Sequence, residues 1–132
     1  MIQIRNILFF LIVFYQLSYG QEVEHNYPVG PQSTNCDSLD IQYLSFDQKL
    51  KAIEESVFRF NQNFKISRTS GVRAGHYYSC DGKTGLLILT VGKEKVIYEQ
   101  IPRILWEKFI ETTDLDGFFE SNIKEKFPVI RD

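Results

Sequence analysis

The feature that most constrains this chain is the run Leu-Leu-Ile-Leu-Thr-Val at residues 86–91. Successive side chains of a strand point to opposite faces of the sheet, so Leu87 and Leu89 share one face while Leu86 and Ile88 share the other. A strand with one face in water would alternate apolar and polar residues instead. We therefore expect a central strand that is covered on both faces, and the chain must supply a cover for each.

A helix before this strand can supply the first cover. Ser45 and Gln48 have the spacing of a capping box, in which each side chain satisfies a backbone N–H group at a helix start. The apolar residues that follow recur at spacings of three and four, and they are Leu50, Ile53, Val57 and Phe60. This spacing predicts an amphipathic helix over residues 46–62.

The rest of the pattern predicts two further strands and two helices. Strands are predicted at residues 72–80 and 95–101, with turns too short for a crossover, so the sheet should be antiparallel. Pro102 fits the start of a helix whose apolar face carries Trp106 as a core anchor, and a last helix begins near Asp116. The predicted fold class is α+β: a small antiparallel sheet of about three strands, with an N-terminal helix on one face and two C-terminal helices on the other.

The N-terminus has the pattern of a secretory signal peptide. A basic start with Arg5 precedes a largely apolar run at residues 7–17 and small residues up to Gly20, where cleavage is expected. The run is 11 residues long, whereas a membrane-spanning helix needs roughly 20. We expect residues 1–20 to be removed and the mature protein to be periplasmic or secreted, with no membrane span.

The remaining chain divides into three segments and has an acidic charge balance. Residues 21–43 form an irregular arm, residues 44–68 an N-terminal helical segment and residues 69–130 a C-terminal domain. Loss of the leader, which contains Arg5 and no acidic residue, leaves 14 basic and 17 acidic residues and a net charge of −3. Such a balance does not attract polyanions over long range, so we do not expect a nucleic-acid partner.

Cys36 and Cys80 are the only cysteines in the sequence. Export would place them where disulfides persist, and a bridge would close a loop of about 45 residues and stabilise the fold by roughly 3–4 kcal/mol. The alternative is a pair of free thiols, with Cys80 as a small buried strand residue. We favour the bridge.

An ordered set of motifs runs through the C-terminal half, from an aromatic strand and a Gly-rich hairpin to a Gly-aromatic ending. The set comprises Tyr77-Tyr78-Ser79-Cys80-Asp81-Gly82-Lys83-Thr84-Gly85, Tyr98, Ile101-Pro102, Trp106, Gly117, Phe119 and Asn122-Ile123-Lys124. In this order and spacing, the region 69–130 resembles a KTSC domain, a small module that occurs alone, in exported bacterial proteins and at the C-terminus of some lysyl-tRNA synthetases.

The resemblance implies a nucleic-acid-binding role as one function, because that activity has been suggested for the family. The family pattern has two tyrosines in the third strand, but here Val96 stands at the first of these positions and Tyr98 at the second. The last loop is also one residue shorter than in the family. Loss of half of the aromatic pair weakens the implied role.

No residue set for catalysis or metal binding is visible. His76 and Cys80 share a strand but would lie about 13 Å apart, too far for a catalytic dyad. The cysteines lack the spacing of a zinc site, and the glycines do not form a phosphate-binding loop. We predict no catalytic residue, no metal site and no cofactor.

Two patterns remain as candidate sites. Tyr78 and Tyr98, with the nearby Arg73, form the candidate binding surface, as an exposed stacking platform for single strands. Their alternative role is packing, with only the polar tip in water. Asp114 and Asp116 could bind a cation or act as acid and base, although Asp is common at helix ends for capping alone.

Three function hypotheses follow. The first is a non-catalytic binding module for a protein or other polymer outside the cytoplasm. The second is a nucleic-acid-binding module, favoured by the resemblance and the tyrosines and opposed by the acidic charge and the export signal. The third is an enzyme that uses the loop carboxylates.

Overall fold

The computed structural model describes residues 35–132, all within one compact unit, Gln32–Asp132. The signal peptide predicted for residues 1–20 and most of the arm predicted for residues 21–43 lie outside the described residues. The described chain contains a short 3-10 helix (Cys36–Ser38), α1 (Phe46–Glu55), β1 (Phe60–Lys65), β2 (Val72–Ser79), β3 (Thr84–Val91), β4 (Glu94–Pro102), α2 (Arg103–Glu111), α3 (Leu115–Asn122) and β5 (Val129–Ile130). None of the helices in this part of the chain is long and apolar enough to cross a membrane.

The five strands form one antiparallel sheet in which each strand pairs with its neighbours in the sequence. The α+β class and the antiparallel order are as predicted, because short turns connect β2 to β3 and β3 to β4. The predicted count of about three strands is wrong. The two strands that the sequence pattern missed, β1 and β5, lie at the two edges of the sheet.

The first helix ends at Glu55 rather than at residue 62. Ser45 and Gln48 form the predicted capping box, which fixes the helix start. At the other end, Ser56 has an extended backbone, and its side chain donates to the Ala52 carbonyl. The predicted apolar stripe, and with it the predicted helix, extended to residue 62 only because Phe60 falls at helical spacing from the apolar residues before it.

Strand β1 replaces the last part of the predicted helix. Its sequence also has a period of two, with Phe60, Gln62 and Phe64 on one face of the sheet, since these residues pair with alternate residues of β2. Phe60 and Phe64 pack against the buried core on that face. Pairing of β1 with β2 gives the backbones of both strands hydrogen-bond partners, and a longer helix would not provide such partners to β2. Tertiary contacts therefore decide between the helical period and the strand period.

Helices α2 and α3 cover one face of the sheet, which we call the α2/α3 face. Strand residues of this face form a single buried cluster with residues from the two helices: Val72, Tyr77, Leu87, Leu89, Val96, Tyr98, Ile101, Trp106, Phe109, Phe119 and Ile123. Trp106 is fully buried, as predicted. Its ring stacks on Tyr77 of β2 and Phe64 of β1, and its Nε1 donates to Gln62 over 3.0 Å.

Helix α1 covers part of the opposite face, which we call the α1 face. Ile53 of α1 is fully buried there and forms a cluster with Tyr78, Ile88 and Ile97. Leu86 and Ile88 therefore face α1, whereas Leu87 and Leu89 face the other helices. The predicted alternation of the central strand β3 is confirmed.

The predicted disulfide is confirmed. Cys36 and Cys80 are bonded to each other, with their Cα atoms 5.8 Å apart. The bond ties the 3-10 helix to the end of β2, and a backbone bridge between Asn35 and Val57 lies next to it. The segment before α1 is thereby attached to the sheet at a point 44 residues further along the chain.

Candidate functional site

The structure does not bring the three residues of the candidate binding surface together. Tyr98 is 0% exposed on the α2/α3 face, and Tyr78 is 5% exposed on the α1 face. Tyr98 packs edge-on against Phe119, and Tyr78 packs against Phe58. Both rings are covered on opposite sides of the sheet, so neither offers a free face on which a base could stack.

The two loop carboxylates, Asp114 and Asp116, make hydrogen bonds that stabilise the fold. Asp114 caps α3, since its side chain accepts a hydrogen bond from the Gly117 N–H over 3.0 Å. Asp116 accepts from the Val72 N–H over 2.8 Å and from Arg68 over 2.7 Å. The same carboxylate lies beside Gly71, which has a φ of +66° and no room for a side chain. These contacts link α3 to the start of β2.

A groove opens on the α1 face where the helix stops. Helix α1 has 10 residues and so extends about 15 Å, whereas a helix over residues 46–62 would extend about 25 Å. The uncovered part of the sheet forms the floor of a cavity of about 470 Å³. We call this cavity the basic groove, and the lining residues that carry its chemistry are Glu54, Lys65, Arg73, Ala74, His76, Thr90 and Lys95.

The strand register explains the shape of the groove. Lys65 of β1 pairs with Ala74 of β2, and Ala74 pairs with Thr90 of β3, which pairs with Lys95 of β4. The small side chains of Ala74 and Thr90 keep the floor low. The two lysines stand at its sides, about 14 Å apart at the Cα atoms, because neighbouring strands are spaced by about 4.8 Å.

Arg73 lines the groove at a bulge in β2. The pairing of β2 with β3 shifts between Val72 and Ala74, which leaves Arg73 as the extra residue. A bulge interrupts the alternation of side chains, so Arg73 lines the same groove as its neighbour Ala74. Its Nη1 donates to the Gly92 carbonyl over 2.9 Å, which fixes the orientation of the guanidinium group.

His76 lies in the next row of the floor, between Asn63 and Ile88. Its ring stacks on that of Tyr78, with 4.0 Å between the ring centroids, and its Nδ1 is 2.8 Å from the Tyr78 hydroxyl. Burial lowers the pKa of His76 below the ordinary 6.5, and the nearby Glu54 carboxylate partly offsets that effect. His76 is therefore neutral at physiological pH.

The groove has a positive charge on a chain whose net charge is negative. Lys65, Arg73 and Lys95 supply three positive charges, and Glu54 supplies the one carboxylate among the described lining residues. Glu54 lies 3.7 Å from Lys95 in an ion pair whose two side chains are about half exposed. An exposed pair of this kind is weak, so both side chains remain free to move.

Sequence reasoning found Arg73 but missed the rest of the groove. Lys65 lies in residues 44–68, which the sequence predicts as an N-terminal helical segment, so the sequence does not predict its place beside Ala74. His76 was considered only with Cys80, and that dyad is absent because Cys80 is bonded to Cys36. The signal that could have found the groove is the period of two in residues 60–65, which predicts a strand next to β2.

The one cluster of metal-ligand residue types in the described part of the chain is Cys36, Asp37 and Cys80. The two sulfur atoms are bonded to each other and are not thiolates, which are the form of cysteine that binds metal ions.

Comparison of the chain with protein-family models, curated proteins and solved structures finds no match. The resemblance to the KTSC family thus stays a prediction.

Proposed function

We propose that this protein is an exported, KTSC-like, non-catalytic binding module that holds a protein or other polymer partner in the basic groove. The single observation that supports this function is the groove itself. It is concave, it has a volume of about 470 Å³ and it gathers three cationic side chains on a net negative chain. Cavities of this size hold small ligands or single groups of larger ones.

The arrangement of the carboxylates supports binding over catalysis. Acid–base chemistry needs a carboxylate or histidine within hydrogen-bond reach of a substrate. Asp114 and Asp116 instead accept hydrogen bonds from backbone N–H groups of their own chain. In the groove, Glu54 has Lys95 as its neighbour.

The disulfide supports the proposed location. Disulfides persist in oxidising compartments outside the cytoplasm and are rare inside it. The bond between Cys36 and Cys80 fits the export that the first 20 residues predict. The KTSC-like character of residues 69–130 rests on the ordered motifs from Tyr77 to Lys124.

Nucleic-acid binding is the second candidate function. Arg68 and Lys65 line a shallow depression next to the groove that shares Arg73 with it, so the cationic surface extends beyond the groove. Against this function, Tyr78 and Tyr98 are buried, and base stacking on aromatic rings is a main source of affinity for single strands. Arg68 is also paired with Asp116.

A matched pair of charge reversals tests the proposed function. Lys65 lies at the edge of the groove and Lys108 lies on α2, and both are exposed. The immobilised oxidised protein is used to capture partners from extracytoplasmic extract, beside the variants Lys65→Glu and Lys108→Glu. We expect one partner to be retained by the wild type and by Lys108→Glu and to be lost with Lys65→Glu.

Retention by all three proteins would place binding on another surface and contradict the proposal, as would the absence of any retained partner. Chemical denaturation of both variants controls for folding, because a surface substitution away from special contacts changes stability by about 0.5 kcal/mol or less. Treatment of the extract with nuclease separates the two candidate functions.

A further inference from the structure

Two residues that line the basic groove each carry a buried side-chain nitrogen without a protein partner. Among the described residues, the buried side-chain atoms without a hydrogen bond are Arg73 Nε, His76 Nε2 and the Tyr98 hydroxyl. The first two belong to the same groove, whereas Tyr98 lies on the other face of the sheet. A buried polar nitrogen without a hydrogen-bond partner destabilises the fold, so two in one groove need an explanation.

Arg73 lines the groove, and one side of its guanidinium group is held by a hydrogen bond within the chain. Nη1 is used for the Gly92 carbonyl, and that hydrogen bond holds the group in place. The edge that remains carries Nε–H and Nη2–H, which are parallel donors at a fixed spacing. Two oxygens of a carboxylate or a phosphate match this spacing, and such paired hydrogen bonds are among the strongest in proteins.

The tautomer of His76 is linked to its hydrogen bond with Tyr78. The contact between Nδ1 and the Tyr78 hydroxyl is the one hydrogen bond that this hydroxyl makes within the described residues. The hydroxyl donates to Nδ1 when the ring proton is on Nε2. In that tautomer Nε2–H is a second donor beside that of Arg73.

The charges around these donors select an anion. Lys65 and Lys95 stand at the two sides of the groove floor. Arg73 lies on β2, the strand next to that of Lys65. The single carboxylate among the described lining residues, Glu54, is matched by Lys95. The net charge of these lining residues is positive, so an acceptor with a negative charge would be attracted and a cation would be repelled.

We propose that the basic groove is an oxyanion site that binds a carboxylate or phosphate group, with its oxygens on Arg73 Nε–H and Nη2–H and on His76 Nε2–H. This inference rests on the proposed function and names the chemical group of the partner that the groove holds. The two unpartnered nitrogens are inaccessible to solvent, so binding requires a movement of groove side chains. Lys65 and Lys95, at the two sides of the groove, are both exposed.

Titration with free anions at constant ionic strength tests the site. The oxidised full chain is titrated with inorganic phosphate and, separately, with succinate, while ¹H–¹⁵N NMR follows Arg73 Nε–H and His76 Nε2–H. We expect at least one anion to shift both signals to saturation, with a dissociation constant below about 10 mM. Saturation by phosphate alone identifies a phosphoryl group, and saturation by succinate alone identifies a carboxylate.

Variants separate the paired donors from simple charge. Arg73→Lys keeps the charge but loses the parallel donors, and we expect it to weaken binding at least about tenfold. Because Arg73 also bonds to Gly92, the double variant Lys65→Gln/Lys95→Gln serves as a second test, with weaker binding and native stability expected. Lys108→Gln is the matched control and should bind like the wild type.

Three results would overturn the oxyanion site: no saturable shift with either anion, equal binding by Arg73→Lys, or binding of a single-stranded oligonucleotide where neither free anion binds. The last result would promote the second candidate function. The two proposals fail separately. A partner lost with Lys65→Glu in the absence of anion binding would reject only the oxyanion, and anion binding in the absence of such a partner would reject only the polymer partner.

Discussion

At the scale of single residues, two adjacent tyrosines show how hydroxyl groups on the two faces of the sheet find hydrogen-bond partners. Tyr77 donates to the Ile101 carbonyl over 2.9 Å on the α2/α3 face, and Tyr78 contacts His76 on the α1 face. Burial is the main cause that raises the pKa of each tyrosine to about 12. The Tyr77 hydroxyl is satisfied by the backbone, whereas the Tyr78 hydroxyl is hydrogen-bonded to a groove histidine.

Trp106 is the residue whose loss should cost most stability. It is fully buried, it stacks on Tyr77 and Phe64, and its Nε1 donates to Gln62. We expect Trp106→Ala to lower the free energy of unfolding by about 3–5 kcal/mol, as measured by denaturant titration. Ile104 lies on the same helix and is 65% exposed, so Ile104→Ala should change stability by less than about 0.5 kcal/mol. A loss below about 1 kcal/mol for Trp106→Ala would contradict this packing.

His76 should make stability depend on pH. Its pKa in the folded protein is lowered, mainly by burial, so the unfolded chain binds the proton more readily. Its contribution to stability is present above pH 6.5 and is lost as pH falls through the lowered pKa of the folded state. Asp81, whose pKa is lowered to about 2 by backbone N–H donors, acts in a separate window below pH 3.8.

Denaturant titrations between pH 7.5 and 4.5 check the histidine effect. The charged residues that line the groove with His76 are Glu54, Lys65, Arg73 and Lys95. We expect the decline in stability on acidification to be smaller in His76→Gln than in the wild type. An identical decline in both proteins would mean that His76 is as easily protonated in the folded state as in the unfolded chain.

At the scale of elements, the sequence predicts the centre of the sheet and fails at its edge. The apolar run of β3 can only be buried on both faces, so Leu86 to Val91 identify the central strand without further information. The end of α1 is different, because Val57 and Phe60 fit a helical stripe while Phe60 and Phe64 fit a strand. Only pairing with β2 decides between them, and that pairing is a contact with the next strand, beyond the three- and four-residue spacings of a helix.

The error at the end of α1 is also the reason why the groove was not predicted. A helix to residue 62 takes in the start of β1, so the sequence does not predict the strand that carries Lys65. Lys65, His76 and Lys95 come from three strands and are distant in sequence, so no local spacing connects them. Candidate binding residues that were chosen by residue type, such as Tyr98, are instead part of the buried core.

The disulfide should stabilise the attachment of the segment before α1. Cys36 and Cys80 are 44 residues apart, and a bridge over a loop of that size contributes about 3–4 kcal/mol in the chain-entropy model. We expect the double variant Cys36→Ser/Cys80→Ser to lose that amount in denaturant titration. The wild type under reducing conditions should match the variant, and a loss below about 1 kcal/mol would contradict the entropic account.

At the scale of the whole molecule, the charge of the chain and the charge of the groove have opposite signs. The chain carries a net charge of −2, which resists long-range attraction of polyanions, while the groove concentrates three cations in one cavity. A compact anionic group of a partner can reach those cations, whereas a long polyanion would also meet the acidic remainder of the surface. This difference favours a partner that inserts one group over a partner that lies along the protein.

The most direct test of the account is photo-crosslinking from the groove. A photoreactive amino acid is placed at position 65 in one protein and at position 108 in another, because both positions are exposed and only the first borders the groove. Each protein is irradiated in the cells that produce it, and the adducts are compared by mass spectrometry. The account predicts a defined adduct from position 65 and none from position 108. An adduct from position 108 alone, or from neither position, would contradict the claim that this groove is the binding site.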